Sequence, residues 1–426
     1  MRIDKLTLGN FKAFTLATFQ FNPHFNLVVG VNGMGKTSLL HGLEVAIAAW
    51  QYAGGFRSRI DQRQIENSEI RLEQSSLGER PQLEPQFPVV VQATGAVLGK
   101  RGTWTRSRHG VDDATNIKSN QIYFYDEVGA ALQKVQSGQA INLPLIASYG
   151  AGRLWHDYQQ TEKPDEVTRL SRLFAYSDAF HTRMSAQLLT AWIQTEELAA
   201  FKEGAASVDK AGSVVKNAIL ACLEGARRLW FDPRREQLVI AFDNGRIIPF
   251  SNLSDGQRTI LTLVGDIARR AITLNPHLQN EACARSEGIV LIDELDLHLH
   301  PRWQRRIISD LQRTFPSLQF VCTTHSPQLI GQAQADQIIL LTESGQVEQP
   351  SQSFGMDSNW ILRHIMGSED RDLKVSEALD DLFELIESNQ LPSAQTKVDS
   401  LRTELGEHPD LVEAQALIHR FSREQG

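Results

Sequence analysis

Residues 30–37 have the spacing G-x-x-x-x-G-K-[ST], a pattern whose chemistry is the binding of nucleotide phosphates. A strand-like run at 25–29 precedes this phosphate loop, and a helix-like run at 39–47 follows it. The glycines would let backbone N–H groups turn toward an anion, and the positive end of the helix would point at the same place. Lys36 would add a charge for the β- and γ-phosphates, and the Thr37 hydroxyl could ligate Mg²⁺. We therefore predict a site for ATP and Mg²⁺, with nucleotide contacts from Asn32, Gly33, Gly35, Lys36, Thr37 and Ser38.

A second half of the site is predicted at the apolar run 288–292, which ends in two carboxylates, Asp293 and Glu294. Short apolar runs are common, but one that ends in Asp-Glu in a chain with a phosphate loop is not. Asp293 would complete the Mg²⁺ shell with Thr37, and Glu294 would orient or deprotonate the water that attacks the γ-phosphate. The two halves together predict an ATPase, which converts ATP and water to ADP and phosphate.

Three further segments could act on the same nucleotide. Ser254 is a natural N-cap for a helix at 259–270, so the N–H groups that follow it would form an anion site. Asp296 lies in the loop after the paired carboxylates. His325 directly follows an apolar strand at 318–324, where it could touch a phosphate. A lone histidine is more often structural, so this prediction depends on its place at the strand end.

Length and composition are those of an ordinary globular protein, with 426 residues of which 41% are apolar and 22% charged. No apolar run approaches the roughly 20 residues of a membrane-spanning helix, and the N-terminus is strand-like rather than a signal peptide. The three cysteines are widely spaced, without a CxxC pair. We therefore expect a cytoplasmic protein with buried thiols and no membrane contact.

The charge is unevenly distributed along the chain. Residues 368–426 carry 14 acidic and six basic side chains and so account for the whole net charge of −8. The remaining body is neutral. Nucleic acid would be repelled by this acidic tail, so any contact with it must lie on local basic patches of the body.

Alternating apolar and polar residues at 1–29 predict two or three antiparallel strands before the phosphate loop. Lys12 lies at their turn, where it could approach the nucleotide; a solvated surface lysine is the alternative. Residues 121–125 are predicted to form a strand. The segment Asp243-Asn244-Gly245-Arg246 between apolar runs predicts a β-hairpin, and the acidic tail has the apolar spacing of amphipathic helices.

Four parts are expected along the chain. They are an ATPase lobe at 1–150 with a polar insertion at about 51–87, a helical lobe and hairpin at 151–252, the second part of the ATPase at 253–350, and an acidic helical region at 351–426.

In this order, the motifs resemble those of ATP-binding-cassette (ABC) ATPases of the SMC/RecF/OLD type. The resemblance rests on the phosphate loop, the signature at 253–257, the carboxylate pair, the loop with Asp296, and His325. It implies an α/β fold, in which a mixed sheet and an antiparallel sheet surround the phosphate loop, with a helical lobe and a helical C-terminal region. It also implies a nucleotide held between two copies, where the signature of one copy completes the γ-phosphate site of the other. The signature residues are Ser254, Asp255, Gly256 and Gln257, with Asp255 in place of the usual glycine.

One family motif departs from the usual pattern. The glutamine of the loop between the first lobe and the helical lobe is not evident, and residues 149–153 occupy its place. Arg153 is our candidate for nucleotide or inter-lobe signalling; a plain surface arginine is an equal alternative.

Segments at 143–155, 293–301 and 323–327 resemble the Septu (PtuA) ATPases of bacterial anti-phage defence, including their retron-associated relatives. The stretch between 150 and 253 lacks the sustained heptads that SMC-type proteins carry between their two halves. Neither the Toprim metal set of OLD nucleases nor an HNH signature is evident, so this chain is not expected to carry its own nuclease. The resemblance therefore implies a homodimer or higher homo-oligomer whose ATP state controls a separate HNH nuclease, with nucleic acid engaged through the complex.

The C-terminal region would suit docking of that basic partner. Packing of this region onto its own body, or onto a second copy, is at least as favoured by the sequence alone. Two other functions stay open: a RecF-like DNA-repair ATPase that clamps DNA without a nuclease partner, and a scaffold stabilised by bound ATP.

Overall fold

The structure, a computed structural model, forms two compact units, Met1–Ile361 and Leu362–Gly426. Arg153, the predicted inter-lobe residue, lies outside the described residues. The division of the first unit into three parts stays a prediction. The described residues are 1–55, 63–75, 82–116, 122–152, 171–180, 186–203, 210–342, 345–367 and 373–424.

The strands that the structure describes all lie in the first unit. In chain order they are β1 (Arg2–Phe11), β2 (Phe14–Gln20), β3 (Phe25–Gly30), β4 (Leu72–Ser75), β5 (Gln82–Pro85), β6 (Val89–Val97), β7 (Lys100–Arg108), β8 (Leu145–Tyr149), β9 (Ala226–Asp232), β10 (Gln237–Phe242), β11 (Ile247–Pro249), β12 (Gly288–Ile292), β13 (Leu318–Thr323), β14 (Ile338–Leu341) and β15 (Val347–Glu348).

The α-helices of the first unit connect these strands. They are α1 (Lys36–Ile47), α2 (Ala49–Ala53), α3 (Tyr125–Gln136), α4 (Ala186–Glu203), α5 (Lys210–Cys222), α6 (Asp255–Leu274), α7 (Ala282–Arg285), α8 (Pro301–Thr314) and α9 (Pro327–Ile330). The helix α10 (Ser358–His364) contains the division between the units, and the second unit holds α11 (Leu373–Glu387), α12 (Leu391–Leu405) and α13 (Pro409–Glu424).

The central sheet has the strand order β15-β14-β3-β13-β12-β8 and is parallel except for β15. Its strands β3, β8, β12 and β13 are buried along their whole length, as expected for parallel strands that are covered on both faces. Because these four strands point the same way, their carboxyl ends meet at one edge of the sheet. The residues that follow β3, β12 and β13 are therefore brought together there.

A second, antiparallel sheet with the order β2-β1-β6-β7 covers the first helix. Trp104 on β7 is buried and donates from Nε1 to the carbonyl of Ala46, 2.9 Å away. Arg106 on the same strand donates from Nη1 to the carbonyl of Val45 at 2.8 Å. The helix that begins at the phosphate loop is thus fixed between two sheets, and the predicted fold class is confirmed.

Two local predictions have different outcomes. The hairpin at Asp243–Arg246 is confirmed, since it joins β10 to β11 and Phe242 N–H donates to the carbonyl of Arg246 at 2.9 Å. The strand predicted at 121–125 is wrong, because the described part is a turn and α3 begins at Tyr125. Its aromatic residues pack in a different way: Phe124 is buried with its ring 5.4 Å from that of Trp104. The aromatic run was therefore a packing signal rather than a strand signal.

A buried ionic network ties α6 to the central sheet. Asp266 accepts a hydrogen bond from the Tyr149 hydroxyl at 2.8 Å and forms ion pairs with Arg269 and Arg270 at 2.6 and 2.7 Å. The two guanidinium groups hold the pKa of Asp266 well below its usual range, although burial opposes this shift. The carbonyl of Tyr149 also accepts the backbone N–H of Asp293 at 2.7 Å. One residue thus joins the signature helix to the end of β12.

The second unit is a small helical assembly with its own core. Its helices α11, α12 and α13 bury one face each, and Gln395 and Gln415 exchange hydrogen bonds between α12 and α13. The core residues include Leu379, Leu382, Ile386, Ala394, Val398, Leu401, Leu411, Ala414 and Ile418. The amphipathic helices predicted for the acidic tail are therefore present.

Two expectations about the whole chain can be checked on the described residues. The thiols of Cys222, Cys283 and Cys322 are buried, as predicted. Among the helices that the structure describes, none combines the length and apolarity that crossing a membrane requires.

We predict that Asp266→Asn lowers the free energy of unfolding by about 3 kcal/mol, because Arg270 is buried and would lose its carboxylate partner. The exposed pair Arg227–Asp243 provides a matched control, and Asp243→Asn should change stability by less than about 0.5 kcal/mol. Chemical denaturation measures both. Because the pKa of Asp266 is depressed in the folded state, its carboxylate contributes fully to stability above the usual pKa of an aspartate. This contribution is lost only as the pH falls toward the depressed pKa. If the stability lost in Asp266→Asn became smaller between pH 6 and pH 8, the assignment would be contradicted.

Candidate functional site

The phosphate loop leaves the central sheet at the end of β3 and enters α1 at Lys36. Gly33 and Gly35 have φ values of 86° and 94°, in the left-handed region that favours glycine. A Cβ atom on Gly35 would lie 2.7 Å from Cζ of the buried Phe14, so this position has no room for a side chain. Asn32, Gly33 and Thr37 are exposed or partly exposed. The loop therefore has the backbone that an anion cradle needs, and its face is open.

The Lys36 side chain lies over this loop. Its Nζ donates to the carbonyls of Gly30 and Val31, at 2.7 and 3.0 Å, and the residue is buried. Burial lowers the pKa of Lys36, while the carboxylates of Asp293 and Glu294 oppose the shift. A bound phosphate would add a close anionic partner for this partly desolvated ammonium.

The structure brings the predicted metal ligands into contact. Thr37 Oγ1 and Asp293 Oδ2 lie 3.1 Å apart, although the residues are 256 positions apart in the chain. Mg²⁺ bonds oxygen at about 2.0–2.1 Å, so neighbouring ligands of its octahedron are about 3 Å apart. The hard oxygen donors and their spacing therefore fit a magnesium ion that completes its shell with phosphate and water oxygens.

Glu294 directly follows Asp293 in an unusual backbone conformation, with φ of 50°. Its N–H donates to Thr323 Oγ1 at 2.7 Å, and this hydroxyl donates in turn to Asp293 Oδ1 at 2.6 Å. Thr323 is the last residue of β13, the strand that lies between β3 and β12. The two carboxylates thus sit at the sheet edge that also carries the phosphate loop.

Asp296 and His325 lie at the same edge. Asp296 Oδ1 accepts a hydrogen bond from Thr324 Oγ1, and His325 follows Thr324 in a partly buried position. Ser326 then caps α9 with its hydroxyl, which accepts from Leu329 N–H. His325 is therefore held between two anchored residues at the strand end, where sequence reasoning placed it.

The signature forms the N-terminus of α6, four residues earlier than the predicted helix. Ser254 is its N-cap in a reciprocal capping box, in which Gln257 N–H donates to Ser254 Oγ at 3.4 Å and Ser254 N–H donates to Gln257 Oε1 at 3.1 Å. Gly256 is buried, and a Cβ atom there would lie 2.7 Å from the carbonyl oxygen of His298 and 2.6 Å from Trp303 Cζ3. Only glycine fits this contact.

A cavity of about 630 Å³ opens at this helix end. Among the described residues, its lining comes mainly from the signature and from the segment after Asp296, and none comes from the phosphate loop. Ser254 and Asp255 are exposed on its rim. In one chain, the signature thus opens into a cavity that is separate from the phosphate loop. The lining residues are Glu224, Ser254, Asp255, Gly256, His298, His300, Arg302 and Trp303.

A second cavity, of about 370 Å³, borders the phosphate loop on the side of the β1–β2 turn. Phe14, Leu16, Gly33 and Met34 contribute to its lining. Its position beside the anion cradle fits the nucleoside end of a bound nucleotide. The sequence did not predict this cavity, because its lining residues come from segments that are distant in the chain.

Lys12 lies in a polar cluster beside α1. Its Nζ lies 2.5 Å from His41 Nδ1 and 3.8 Å from Glu69, and desolvation lowers its pKa. Hydrogen bonds from His41 and Arg63 lower the pKa of Glu69 to about 2, although burial opposes this shift. Arg63 also pairs with Glu44 on α1 at 3.0 Å. The nucleotide contact of Lys12 stays a prediction, since its described partners belong to this cluster.

Two family models match the chain. One, described as "AAA domain", matches residues 5–203. The other, described as "AAA domain, putative AbiEii toxin, Type IV TA system", matches residues 227–331. The first match contains the phosphate loop, and the second contains the signature, the carboxylate pair and His325.

Curated relatives and a solved structure are also similar to this chain. The probable ATPase of retron Ec83 from Escherichia coli is 25% identical, over 86% of this chain and 76% of that protein. The Septu protein PtuA of Bacillus mycoides is 32% identical, over 38% of this chain and 23% of that protein. The SMC head bound to the C-winged helix domain of ScpA matches with a TM-score of 0.47 and 16% identity, over 83% of this chain and 98% of that chain. The two family models and the retron and Septu relatives confirm the resemblance to ATPases that was drawn from the motifs.

We predict that Gly256→Ala lowers the ATPase rate at least about tenfold, because the added methyl would meet a backbone carbonyl and shift the start of α6. Nucleotide binding to the phosphate loop should persist, which a fluorescent ATP analogue would measure.

Gly129→Ala in α3 is the matched control, since among the described residues no atom outside its chain neighbours and the adjoining backbone of its own helix lies within 4 Å of the place that its methyl would take. That variant should keep full activity and gain up to about 1 kcal/mol of stability from helix propensity. Wild-type ATPase activity in Gly256→Ala would show that the signature end is not needed for turnover.

Proposed function

We propose that this ABC-type ATPase is the ATP-binding and ATP-hydrolysing regulatory subunit of a bacterial anti-phage defence complex, in which it controls a separate HNH nuclease. The observation that carries the ATPase part is the contact between Thr37 and Asp293, which joins the two halves of the site. The similarity to the retron and Septu ATPases supports the defence role.

Within one copy, the phosphate loop and Lys36 would bind the nucleotide phosphates. Thr37 and Asp293 would hold Mg²⁺, which when bound neutralises charge on the β- and γ-phosphates. Glu294 would orient the attacking water and accept its proton. His325 would contact the γ-phosphate from the neighbouring strand end. The positions of these side chains at a single edge of the sheet support these roles.

Between copies, the exposed N-terminus of α6 would complete the site. Ser254 and the N–H groups that follow it lie at the signature cavity, where a γ-phosphate of a second copy could be received. Asp255 would repel a phosphate, but its side chain is 73% exposed and pairs with Arg258 at 3.6 Å, so water and the guanidinium weaken this repulsion. This arrangement supports a homodimer, or a higher homo-oligomer, that closes around ATP.

The acidic second unit would dock the nuclease. Helix α11 presents Glu377, Asp380 and Glu384 to solvent at helical spacing, and its apolar face is buried in the unit's own core. A basic partner would be attracted to this surface. The ATP-dependent closure of the first unit would then set when the partner cuts nucleic acid.

We predict that Glu294→Gln lowers kcat by about a hundredfold or more, while ATP binding is retained and a closed dimer accumulates. Single-turnover ATPase assays and light scattering with ATP measure the two effects. Glu281→Gln, a change of the same kind at an exposed ion pair with Arg285, should leave both unchanged. Hydrolysis at the wild-type rate in Glu294→Gln would remove Glu294 from its role.

We also predict that lysine at Glu377, Asp380 and Glu384 abolishes co-purification with the proposed HNH nuclease partner, without loss of ATPase activity. Lysine at three exposed acids of the first unit, Asp112, Asp113 and Glu281, is the control and should leave the complex intact. Mass determination of the native complex measures both.

An intact complex with the first variant would place the docking surface elsewhere. Salt-sensitive, ATP-dependent duplex binding by the chain alone, without a partner, would instead favour the DNA-clamp alternative.

A further inference from the structure

Two threonines, Thr323 and Thr324, stand at the end of strand β13, where they are fully buried and directly precede His325. A buried threonine hydroxyl usually finds a main-chain partner. Here each hydroxyl accepts a main-chain N–H and also donates to a carboxylate of the candidate site. The sequence assigned no role to either threonine, although the segment 323–327 contributes to the family resemblance.

The Thr323 hydroxyl contacts the carboxylate pair, which includes the proposed Mg²⁺ ligand Asp293. It donates to Asp293 Oδ1 at 2.6 Å and accepts the N–H of Glu294 at 2.7 Å, so one hydroxyl fixes both members of the carboxylate pair. With Oδ1 engaged, the other oxygen of Asp293 is directed to Thr37 Oγ1, 3.1 Å away. The orientation of the metal ligand therefore depends on Thr323.

The Thr324 hydroxyl controls the loop that leads to the signature cavity. It donates to Asp296 Oδ1 and accepts the N–H of Ser326 at 3.0 Å. Ser326 Oγ donates to Gln304 Oε1 at 2.7 Å, and Gln304 Nε2 donates to the carbonyl of Leu299 at 2.9 Å. The loop is thus held at both ends by the segment that carries His325.

The two hydroxyls act on different carboxylates because neighbouring residues of an extended chain project to opposite sides. Asp293 belongs to the nucleotide site of its own chain. Asp296 begins the loop that lines the cavity with Ser254, which would serve a second copy. A movement of His325 would therefore shift the adjacent threonines, and through them both Asp293 and the Asp296 loop.

We propose that Thr323 and Thr324 are positioning residues with separate tasks: Thr323 orients Asp293 for Mg²⁺ in its own chain, and Thr324 holds the Asp296 loop for the second copy. This assignment rests on the proposed function, since its second task requires a dimer.

The test compares Thr→Val, which removes each hydroxyl at constant shape, with Thr→Ser, which keeps it. The first measurement is the affinity of the full chain for a fluorescent non-hydrolysable ATP analogue, with Mg²⁺ and with EDTA. Thr323→Val should reduce the Mg²⁺-dependent gain in affinity by about tenfold and leave the affinity in EDTA unchanged. Thr324→Val should keep the full Mg²⁺-dependent gain.

The second measurement is ATP-induced dimerisation in the Glu294→Gln background, followed by light scattering. Thr324→Val should raise the ATP concentration needed for half-dimerisation by about tenfold, and Thr323→Ser and Thr324→Ser should match the parent chain in both measurements. Thermal unfolding of each variant without nucleotide shows whether its fold is intact.

The assignment is overturned if both valine variants change the two measurements alike, if neither changes either, or if the serine variants fail to restore them. A parent chain that never dimerises with ATP would instead overturn the proposed two-copy site. In that case the Mg²⁺ measurement still tests Thr323, so the two failures are distinguishable.

Discussion

The contact between Thr37 and Asp293 depends on the register of the parallel sheet. It joins two residues that are 256 positions apart, and it exists because the parallel register of β3, β13 and β12 brings their carboxyl ends to one edge of the sheet. A shift of one residue in any of these strands would turn the side chains at their ends to the other face. The burial of all three strands makes such a shift costly, since apolar side chains fill both faces of the sheet. The hydrophobic core thus sets the geometry of the polar site at its edge.

A second constraint links this sheet edge to α6. Tyr149 accepts the N–H of Asp293 with its carbonyl and donates its hydroxyl to Asp266, whose charge is balanced by two arginines. Buried ion pairs add little net stability, because desolvation offsets most of the attraction, but breaking one leaves an uncompensated charge and is strongly unfavourable. This network therefore restricts how far the signature helix can turn relative to the carboxylate pair. As long as this network is intact, a movement of the signature helix is coupled to a movement of the carboxylate pair.

The sequence predicted correctly those features of the site and fold that depend on local backbone conformation. The glycines of the phosphate loop, the Ser254 N-cap and the 243–246 hairpin depend on neighbours in the chain, and all three have the expected local structure. Contacts between distant segments could not be derived in this way. The Gly256–Trp303 contact joins two helices, and the hydrogen bond from Thr323 to Asp293 joins two strand ends, so both depend on the tertiary fold. The helix start at Tyr125 was missed because an aromatic run fits a core-facing turn as well as a strand.

Backbone strain at the carboxylate pair favours movement of the loop that follows it. Glu294 and His298 have φ values of 50° and 63°, and such a conformation costs a residue with a side chain about 1–3 kcal/mol. Two hydrogen bonds to Thr323 oppose this tendency, one to its hydroxyl from Glu294 and one to its carbonyl from Leu295 at 2.9 Å. Both acceptors belong to the strand end that carries His325. Any ligand that displaces this strand end weakens the bonds that hold the strained loop, so the strain favours movement of the Glu294 carboxylate together with the loop that faces the signature cavity.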